Sequence, residues 1–390
     1  MKGITLKVLS LLLCLSLTLP LAVSCGKTEA PETKPETVPE TEAPTAVWAL
    51  ADLGNDVNIH TAEQKDAWSI EYPNDVKNTY KGDQALSAPR PVLLSWTCDC
   101  NEPSEFVSYR VTVFESKNPE EIRTYTVAEP KAAVYNLKIA TDYDWKVTAV
   151  YENAEYTSES AHFRIADEVP RNLYVEGVEN VRDIGGYVTV SGQRVRQGMM
   201  IRCGRLNESA VDELVIEITE EGKRVMSEEL KIKTEIDLRK VENNEVGCLT
   251  ESPIPGANYV SLPMDASKTL ISDPYNYDNL LTFFEMAADE SNYPMAFHCN
   301  IGTDRTGALA YLVLMILGVD YDTICREYAF SNLAKIGSSR DLTMVKRFNT
   351  VTKKIDGETE NERICNYLLQ LGVTEEQMNS LRRIMLEPQA

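Results

Sequence analysis

The spacing of hydrophobic and polar residues changes several times along the chain and predicts a different structure for each part. An apolar run over residues 8–19 is followed, over residues 26–46, by a stretch almost free of apolar residues. From about residue 85, apolar and polar positions alternate, which is typical of strands with one buried face. Further along, a short apolar run before His298 and a long one over residues 308–317 indicate a buried strand followed by a buried helix.

The first 25 residues have the pattern of an export signal. Lys2 and Lys7 precede the apolar run, and small residues with Cys25 close it. The closing segment resembles the lipobox of bacterial lipoproteins, although Ala22 stands where a leucine is usual. The resemblance implies lipidation of Cys25, an anchor in the bacterial cell membrane and an extracytoplasmic location. A secreted protein with an ordinary cleaved signal, or an uncleaved anchor helix, is the alternative.

Residues 26–46 are predicted to be a disordered, solvated spacer. Pro-Glu-Thr recurs there with a period of four, beginning at Pro31, Pro35 and Pro39. Proline favours an extended backbone and the glutamates repel one another, so the spacer is semi-rigid. Residues 47–84 follow no single pattern and are left undecided.

Residues 85–168 predict a small all-β sandwich. The pattern of Leu137, Thr141, Tyr143 and Val147 resembles the tyrosine corner of fibronectin type III domains, and Trp96 stands where that family keeps a core tryptophan. The strands are predicted at 92–96, 108–114 and 143–150. Cys98 and Cys100 lie too close on one strand for an unstrained disulfide, which favours free thiols.

The 390 residues predict about two or three domains, and their charge is strongly acidic. Hydrophobic residues make up 43% of the chain and charged residues 25%, which excludes wholesale disorder and a collagen-like fibre. The 39 Lys and Arg residues against 60 Asp and Glu residues give a net charge of −21. Because nucleic-acid binding depends on basic residues that neutralise phosphates, nucleic acid is not an expected partner. Phosphate chemistry would need a local electropositive pocket.

One loop concentrates the residues suited to such chemistry. His298 and Cys299 end the predicted strand, and Arg305, Thr306 and Gly307 begin the predicted helix. The backbone N–H groups between them can converge as an anion nest, to which the helix adds its positive end. This field would lower the pKa of Cys299, so that its thiolate could attack phosphorus, while Arg305 offers a planar fork to two phosphate oxygens. We expect His298 to order the loop through hydrogen bonds.

The sequence of this loop, His-Cys-x-x-Gly-x-Asp-Arg-Thr-Gly, resembles the active-site loop of the cysteine-dependent protein tyrosine phosphatases. It is most similar to a branch of bacterial tyrosine and phosphoinositide phosphatases with an aspartate inside the loop. Upstream segments at 179–187, 195–206 and 234–239 extend the resemblance, which we assign to residues 170–390. It implies a multidomain protein in which an α/β phosphatase domain follows the sandwich. Helices are also predicted over residues 322–332 and within 366–385.

The resemblance assigns roles to single residues. It makes Cys299 the nucleophile that forms a cysteinyl-phosphate intermediate, Arg305 the clamp on the phosphoryl oxygens, and Thr306 a hydrogen-bond donor to the sulfur. The phosphate-binding loop comprises Asn300, Ile301, Gly302, Thr303, Asp304 and Arg305. No metal or other cofactor is implied, because the loop and Arg305 supply the electrostatics.

Three aspartates remain candidates for the general acid. Asp304 matches the in-loop aspartate proposed for this role in the branch. Asp265 lies where related phosphatases place a loop acid. Asp237 could also serve, although it could instead position Arg239 or cap a turn.

The expected substrate is a phosphomonoester, in a protein or a small molecule, and most simply protein phosphotyrosine. Branch members that hydrolyse phosphoinositides often carry lysine where this chain has Thr303, so less positive charge faces a multiply phosphorylated ring. An inositol-phosphate or phosphoinositide phosphatase is the alternative within the enzyme class, and a sulfurtransferase is a weaker one. A surface adhesion or phospho-ligand-binding lipoprotein is the alternative from another class.

Overall fold

The computed structural model describes residues 44–208, 215–240, 249–265 and 270–388. The predicted signal, Cys25 and nearly all of the predicted spacer lie outside these residues. Residues from Pro44 onward belong to one compact unit. Among the described residues, no helix has the length and apolar character needed to cross a membrane.

Two antiparallel sheets face each other in the N-terminal part. One has the order β1-β2-β5, with β1 at Ala46–Leu50, β2 at Val92–Cys100 and β5 at Lys131–Val134. The other has the order β4-β3-β6-β7, and a further strand, β8, also pairs with β6. Its strands are β3 (Phe106–Glu115), β4 (Asn118–Val127), β6 (Asp142–Tyr151), β7 (Glu155–Thr157) and β8 (Ala161–Arg164). Strands β2, β3 and β6 cover the segments that alternation predicted. β1 begins at Ala46, the last residue of the predicted spacer, and continues into the stretch left undecided.

The sandwich core is aromatic and aliphatic. Trp96 and Trp145 are buried with their ring centroids 6.3 Å apart. The hydroxyl oxygen of Tyr143 accepts a hydrogen bond from the backbone N–H of Lys138 at 2.8 Å. These are core and corner positions, while membership of the fibronectin type III family stays a prediction. Cys98 and Cys100 are free thiols.

The C-terminal part is built on a mostly parallel sheet whose described strands have the order β14-β13-β15-β10-β9. They are β9 (Arg182–Asp183), β10 (Met200–Cys203), β13 (Thr234–Asp237), β14 (Asn258–Ser261) and β15 (Met295–His298). Two further short strands, β11 (Asn207–Glu208) and β12 (Val215–Ile216), pair antiparallel with each other. Strands β10, β13, β14 and β15 are parallel, so their carboxyl ends meet at one edge of the sheet, where α/β proteins bind ligands.

Helices cover this sheet. They are α1 (Ala62–Ser69), α2 (Val76–Thr79), α3 (Glu220–Arg224), α4 (Tyr277–Ala287), α5 (Asp304–Leu317), α6 (Tyr321–Ala329), α7 (Thr343–Thr352), α8 (Glu360–Leu371) and α9 (Glu375–Met385). Every residue of α5 after Asp304 is buried, so this helix runs through the core, as its apolar sequence predicts.

The undecided stretch 47–84 is divided between the two parts of the structure. Its β1 pairs with β2 of the sandwich, whereas Trp68 of α1 stacks on Tyr187 at 6.3 Å. The Nη1 atom of Arg326 donates to the backbone oxygens of Trp68 and Ile70 at 2.9 and 2.6 Å. One segment of the chain therefore packs on both halves.

The sandwich is also joined to the parallel sheet by buried hydrogen bonds. Arg171, only 1% exposed, donates from Nη2 to the backbone oxygen of Asn136 at 2.6 Å and from Nη1 to Asp183 at 2.5 Å. The side chain of Gln197 accepts from the backbone N–H of Ile139 at 2.9 Å and donates to its oxygen at 3.0 Å. Both contacts hold the turn before β6 against the segments around β9 and β10.

Candidate active site

The phosphate-binding loop, residues 299–305, leaves the carboxyl end of β15 and leads into α5. Gly302 has a φ of +69°, and a Cβ atom there would lie 2.5 Å from the backbone oxygen of Cys203. Both the conformation and the close approach therefore require glycine. The turn brings Cys299 and Arg305 together at the edge where the parallel strands end.

The N-terminus of α5 is left without a side-chain cap. Threonine side chains cap α1, α8 and α9, but Thr303 makes no such bond to any described residue of α5. Its hydroxyl donates to the backbone oxygen of Ile301 (3.4 Å) and accepts from Asn180 Nδ2 (3.3 Å). Because the first N–H groups of a helix lack partners within it, this end of α5 can bind an anion.

Cys299 is buried, with 1% of its surface exposed, and its thiol is acidified. Burial alone would raise the pKa of Cys299. The positive charge of Arg305 and hydrogen bonds from the side chain and backbone of Thr306 outweigh burial and lower it below its usual value. Among the described residues, the buried Thr306 hydroxyl has no partner at standard hydrogen-bond geometry, and the Cys299 thiol is the group whose pKa it lowers. These interactions favour the thiolate form of Cys299.

Arg305 reaches across the sheet edge. It is 9% exposed, and its Nη1 atom donates to the backbone oxygen of Leu238, just beyond β13, at 3.2 Å. This contact fixes the guanidinium near Cys299, where a planar fork can bind two oxygens of a phosphoryl group.

His298 points away from the loop into a buried network. Its Nε2 atom lies 2.9 Å from Oε1 of Glu235, and its Nδ1 atom lies 3.3 Å from the backbone oxygen of Cys299. Burial lowers the pKa of His298, but the carboxylates of Asp237 and Glu235 raise it overall. Both ring nitrogens therefore face oxygens, and an ordering role for His298 at the start of the loop stays a prediction.

Asp237 is fully buried and binds Arg239. The Nη2 atom of Arg239 donates to Asp237 Oδ2 at 2.7 Å and to Asn207 Oδ1 at 2.6 Å. Burial raises the pKa of Asp237, but His298 and Arg239 outweigh it and hold that pKa below its usual value. The pair therefore fixes the end of β13 beside the loop.

A buried triad of two arginines and one glutamate supports the loop from behind. Both guanidinium groups bind the carboxylate of Glu327, with Arg202 Nη1 at 2.6 Å and Arg182 Nε at 3.1 Å. Arg202 also donates to the backbone oxygen of Gly302, and Asn180 Nδ2 donates to that of Ile301 at 3.1 Å. Burial and the charge of Arg202 lower the pKa of Arg182 to about 10, although Glu327 opposes this.

No role for these three residues follows from the sequence. Arg182 and Arg202 belong to the quoted upstream segments, and Glu327 lies in a predicted helix. The signal that could have identified Glu327 is its position among the apolar residues of α6, since a buried glutamate needs a buried cation. Its partners, far away in the sequence, could not be inferred from it.

The remaining candidate acids, Asp304 and Asp265, are both partly exposed and ion-paired. Asp304, with a side chain 34% exposed, accepts hydrogen bonds from the Tyr328 hydroxyl and from Arg340 Nε, both at 3.3 Å. Asp265, 30% exposed, follows β14 and lies 3.1 Å from Nζ of Lys240. Within the described ranges, no three His, Cys, Asp or Glu side chains are grouped so as to hold a metal ion.

Comparison with known proteins finds similarity in the C-terminal part of the chain. The sequence model of the tyrosine phosphatase family matches residues 173–387. A Cupriavidus necator protein, provisionally named a tyrosine-protein phosphatase, is 29% identical over 176 residues, which are 41% of this chain and 63% of that protein. The chain thus spans less than two thirds of that relative.

Two solved structures show weaker similarity. The core catalytic domain of the PP-IP phosphatase Siw14 from S. cerevisiae, in complex with citrate, is 17% identical over 41% of this chain and 92% of its own, with a TM-score of 0.27. A myokine structure is 18% identical over 21% of this chain and 85% of its own, with a TM-score of 0.17. At these TM-scores neither bears on the fold. The family match, however, covers more than half of the 390 residues and includes the whole phosphate-binding loop, so the chain belongs to the tyrosine phosphatase family.

Proposed function

We propose that the protein is a cysteine-dependent phosphatase that hydrolyses phosphotyrosine in proteins through a cysteinyl-phosphate intermediate. The observation that carries the proposal is the buried Cys299 thiol, whose pKa is lowered beside Arg305 at the uncapped start of α5. In the first step the sulfur bonds to phosphorus, the bond to the phenolic oxygen breaks, and a carboxylic acid gives that oxygen a proton. Water then attacks phosphorus, passes a proton to the same carboxylate, and releases the thiolate.

Positive charge and oriented donors stabilise the transferring phosphoryl group in this mechanism. Arg305 binds two of its oxygens, and the first N–H groups of α5 face the charge that develops on it. Thr306 donates to the sulfur, which stabilises the thiolate that leaves in the second step.

Asp304 is the general acid in this proposal, and Asp265 is its competitor. Asp304 belongs to the loop, is partly exposed, and is oriented by Tyr328 and Arg340. Asp265 is similarly exposed and likewise ion-paired, with Lys240, but it lies outside the loop. Asp237 is the poorest candidate, because a buried carboxylate with a lowered pKa has no proton to give at neutral pH.

Two features favour phosphotyrosine over the alternatives. Cys299 is almost completely buried, so a phosphoryl group has to reach inward, which suits the long tyrosine side chain. Thr303 brings no charge to the loop, so a multiply phosphorylated inositol ring gains little. A module that only binds phosphate would need neither the acidified thiol nor Asp304.

We also propose that a lipid on Cys25 holds the protein on the outer side of a bacterial cell membrane, with secretion as the fallback. The basic, apolar and small-residue pattern of residues 1–25 supports this, as does the acidic spacer that follows. Expression of the full chain with and without Cys25→Ala, followed by fractionation, tests it. A wild-type protein that partitions like the variant would refute the anchor.

Turnover assays test the enzymatic proposal. The protein without residues 1–25 is offered p-nitrophenyl phosphate, a phosphotyrosine peptide, a phosphoserine peptide and inositol phosphates, with Cys299→Ser as the control. We expect hydrolysis of both aryl phosphates and none by the variant. Equal activity of the variant would refute the nucleophile, and preference for inositol phosphates would favour the alternative enzyme. Phosphopeptide binding without any turnover would favour the binding module.

A further inference from the structure

A groove of about 770 Å³ adjoins the phosphate-binding loop. One side is formed by residues 173–179 with Val181 and by residues 204–205 after β10, and its inner end by Asn300 and Ile301 of the loop. Ala85, Ser87 and Ala88 and residues 335–337 also line it. We call this cavity the flanking groove.

The flanking groove is continuous with the loop that would hold the phosphoryl group. The backbone N–H of Arg205 donates to the backbone oxygen of Asn300 at 3.1 Å, and its Nη1 atom donates to the Asn300 side chain at 3.2 Å. The backbone N–H of Gly204 donates to the oxygen of Glu179 at 2.8 Å. A substrate with its phosphate in the loop would therefore have part of its body beside this groove.

One wall of the groove comes from outside the segment that the family model matches. Ala85, Ser87 and Ala88 line the groove, and strands β2 to β8 separate them in the sequence from residues 173–387. Hydrogen bonds hold this segment in place. Gln64 Nε2 donates to the backbone oxygens of Leu86 and Ala88 at 2.9 and 2.7 Å. The backbone N–H of Leu86 in turn donates to the oxygen of Leu333 at 2.7 Å. The N-terminal part thus shapes a surface next to the catalytic loop.

The lining is apolar at depth and acidic at the rim. Leu173, Val175 and Val181 form a buried floor and Tyr174 gives the groove exposed apolar surface. Glu176 and Glu179 are exposed and form no ion pair with a described residue. Apolar surface of this kind binds apolar side chains, but it offers no hydrogen bond or positive charge to a polyphosphate.

The cations of the groove do not reverse this charge. Arg205 is paired with Glu217, with Nε 2.8 Å from Oε2. Lys335 is exposed on the rim but opposes two carboxylates. The net charge is therefore negative, which favours a basic group in the ligand and opposes a second phosphate.

We propose that the flanking groove binds the residues next to phosphotyrosine in an extended peptide, with a Lys or Arg of that peptide facing Glu176 and Glu179. This inference rests on the proposed function and deepens it, because it names a peptide as the substrate and places its specificity partly in the N-terminal wall. Apolar residues of the peptide pack on Tyr174, which is 36% exposed, and on the partly exposed Val178.

Bulk added to the N-terminal wall tests the inference. Ala85 and Ala88 are exposed, so Ala85→Trp/Ala88→Trp should fill the groove without disturbing the fold. We expect the ratio of kcat/KM for a Lys-containing phosphotyrosine peptide to that for p-nitrophenyl phosphate to fall about tenfold. Ala133→Trp, on an exposed position of β5 outside the groove, is the matched control and should keep the wild-type ratio.

Reversal of the rim charge tests the basic residue. Glu176→Lys should lower kcat/KM for the Lys-containing peptide and raise it for the same peptide with Glu in place of Lys. The inference is overturned if the wall variant keeps the ratio, if free phosphotyrosine is hydrolysed as well as the peptide, or if the wall variant impairs inositol phosphates instead.

Binding separates failure of this inference from failure of the proposed function. If the wild-type protein hydrolyses no phosphate ester, the proposed function fails. Fluorescence anisotropy with a labelled phosphotyrosine peptide and Cys299→Ser then tests the groove alone. Weaker binding after Ala85→Trp/Ala88→Trp supports the groove, and unchanged binding overturns it.

Discussion

Arg202 donates a hydrogen bond to the backbone oxygen of Gly302, at the centre of the phosphate-binding loop. The carbonyl thus points back into the protein, and it does not face an incoming phosphate. Glu327 is the shared counter-charge of Arg202 and Arg182, and all three side chains are buried. The shape of the loop therefore depends on a charge network that substrate does not touch.

Glu327→Gln should destabilise the fold and slow turnover. The substitution leaves two buried guanidinium groups without a counter-charge, and breaking a buried ion pair costs about 3–5 kcal/mol. Urea unfolding measures the loss, and kcat for p-nitrophenyl phosphate should fall with it. Glu376→Gln changes a glutamate whose side chain is 83% exposed and should alter neither. An unchanged unfolding midpoint for Glu327→Gln would show that the triad is dispensable.

Gly302→Ala should abolish activity, whereas Gly192→Ala should not. Both glycines have positive φ, +69° and +86°, so both variants carry backbone strain of about 1–2 kcal/mol. A Cβ at Gly192 meets nothing within 4 Å, but one at Gly302 meets the Cys203 oxygen at 2.5 Å. Melting temperatures and kcat compare the pair. Equal effects of the two substitutions would mean that strain, and not the close approach, decides.

Thr306→Val should raise the pKa of the Cys299 thiol. The thiol is more acidic than usual partly because the Thr306 side chain hydrogen-bonds the sulfur, and valine cannot do so. A higher pKa means less thiolate at a given pH, so alkylation by iodoacetamide should slow about tenfold for each pH unit by which its inflection moves upward. Thr350→Val, on the exposed face of α7, is the control. An inflection that stays in place would remove Thr306 from the mechanism.

Asp304→Asn should slow hydrolysis of phosphotyrosine by about a hundredfold or more, and that of p-nitrophenyl phosphate far less. The nitrophenolate leaving group needs little protonation, so loss of the acid affects it weakly. Asp265→Asn is the matched variant, because Asp265 is a similarly exposed and ion-paired carboxyl group. If Asp265→Asn and not Asp304→Asn shows the selective loss, the acid comes from the segment after β14.

The strand before the loop and the helix after it could be predicted from the sequence, because the residues that define them are neighbours in the chain. Cys299 and Arg305 are six positions apart, and the apolar run after them could only be a buried helix. The supporting network was out of reach, because Glu327 lies 145 and 125 positions from Arg182 and Arg202. Nothing in a one-dimensional pattern brings such residues together.

The structure of residues 47–84 could not be predicted from the sequence for a different reason. Its strand β1 joins the sandwich while its helix α1 packs on the parallel sheet, so no single period runs through it. Likewise, the alternation of β3 and β6 predicted strands but could not say that the turn before β6 contacts Gln197.

The hydrogen bonds of Arg171 and Gln197 have a mechanical consequence. They connect the turn before β6 to the segments around β9 and β10. The sandwich and the parallel sheet therefore cannot move independently at that point. The two parts should therefore melt in one cooperative transition, although the sequence separates them into two domains. Cleavage of a surface loop in the sandwich would then also lower the melting temperature of the part that carries the phosphate-binding loop.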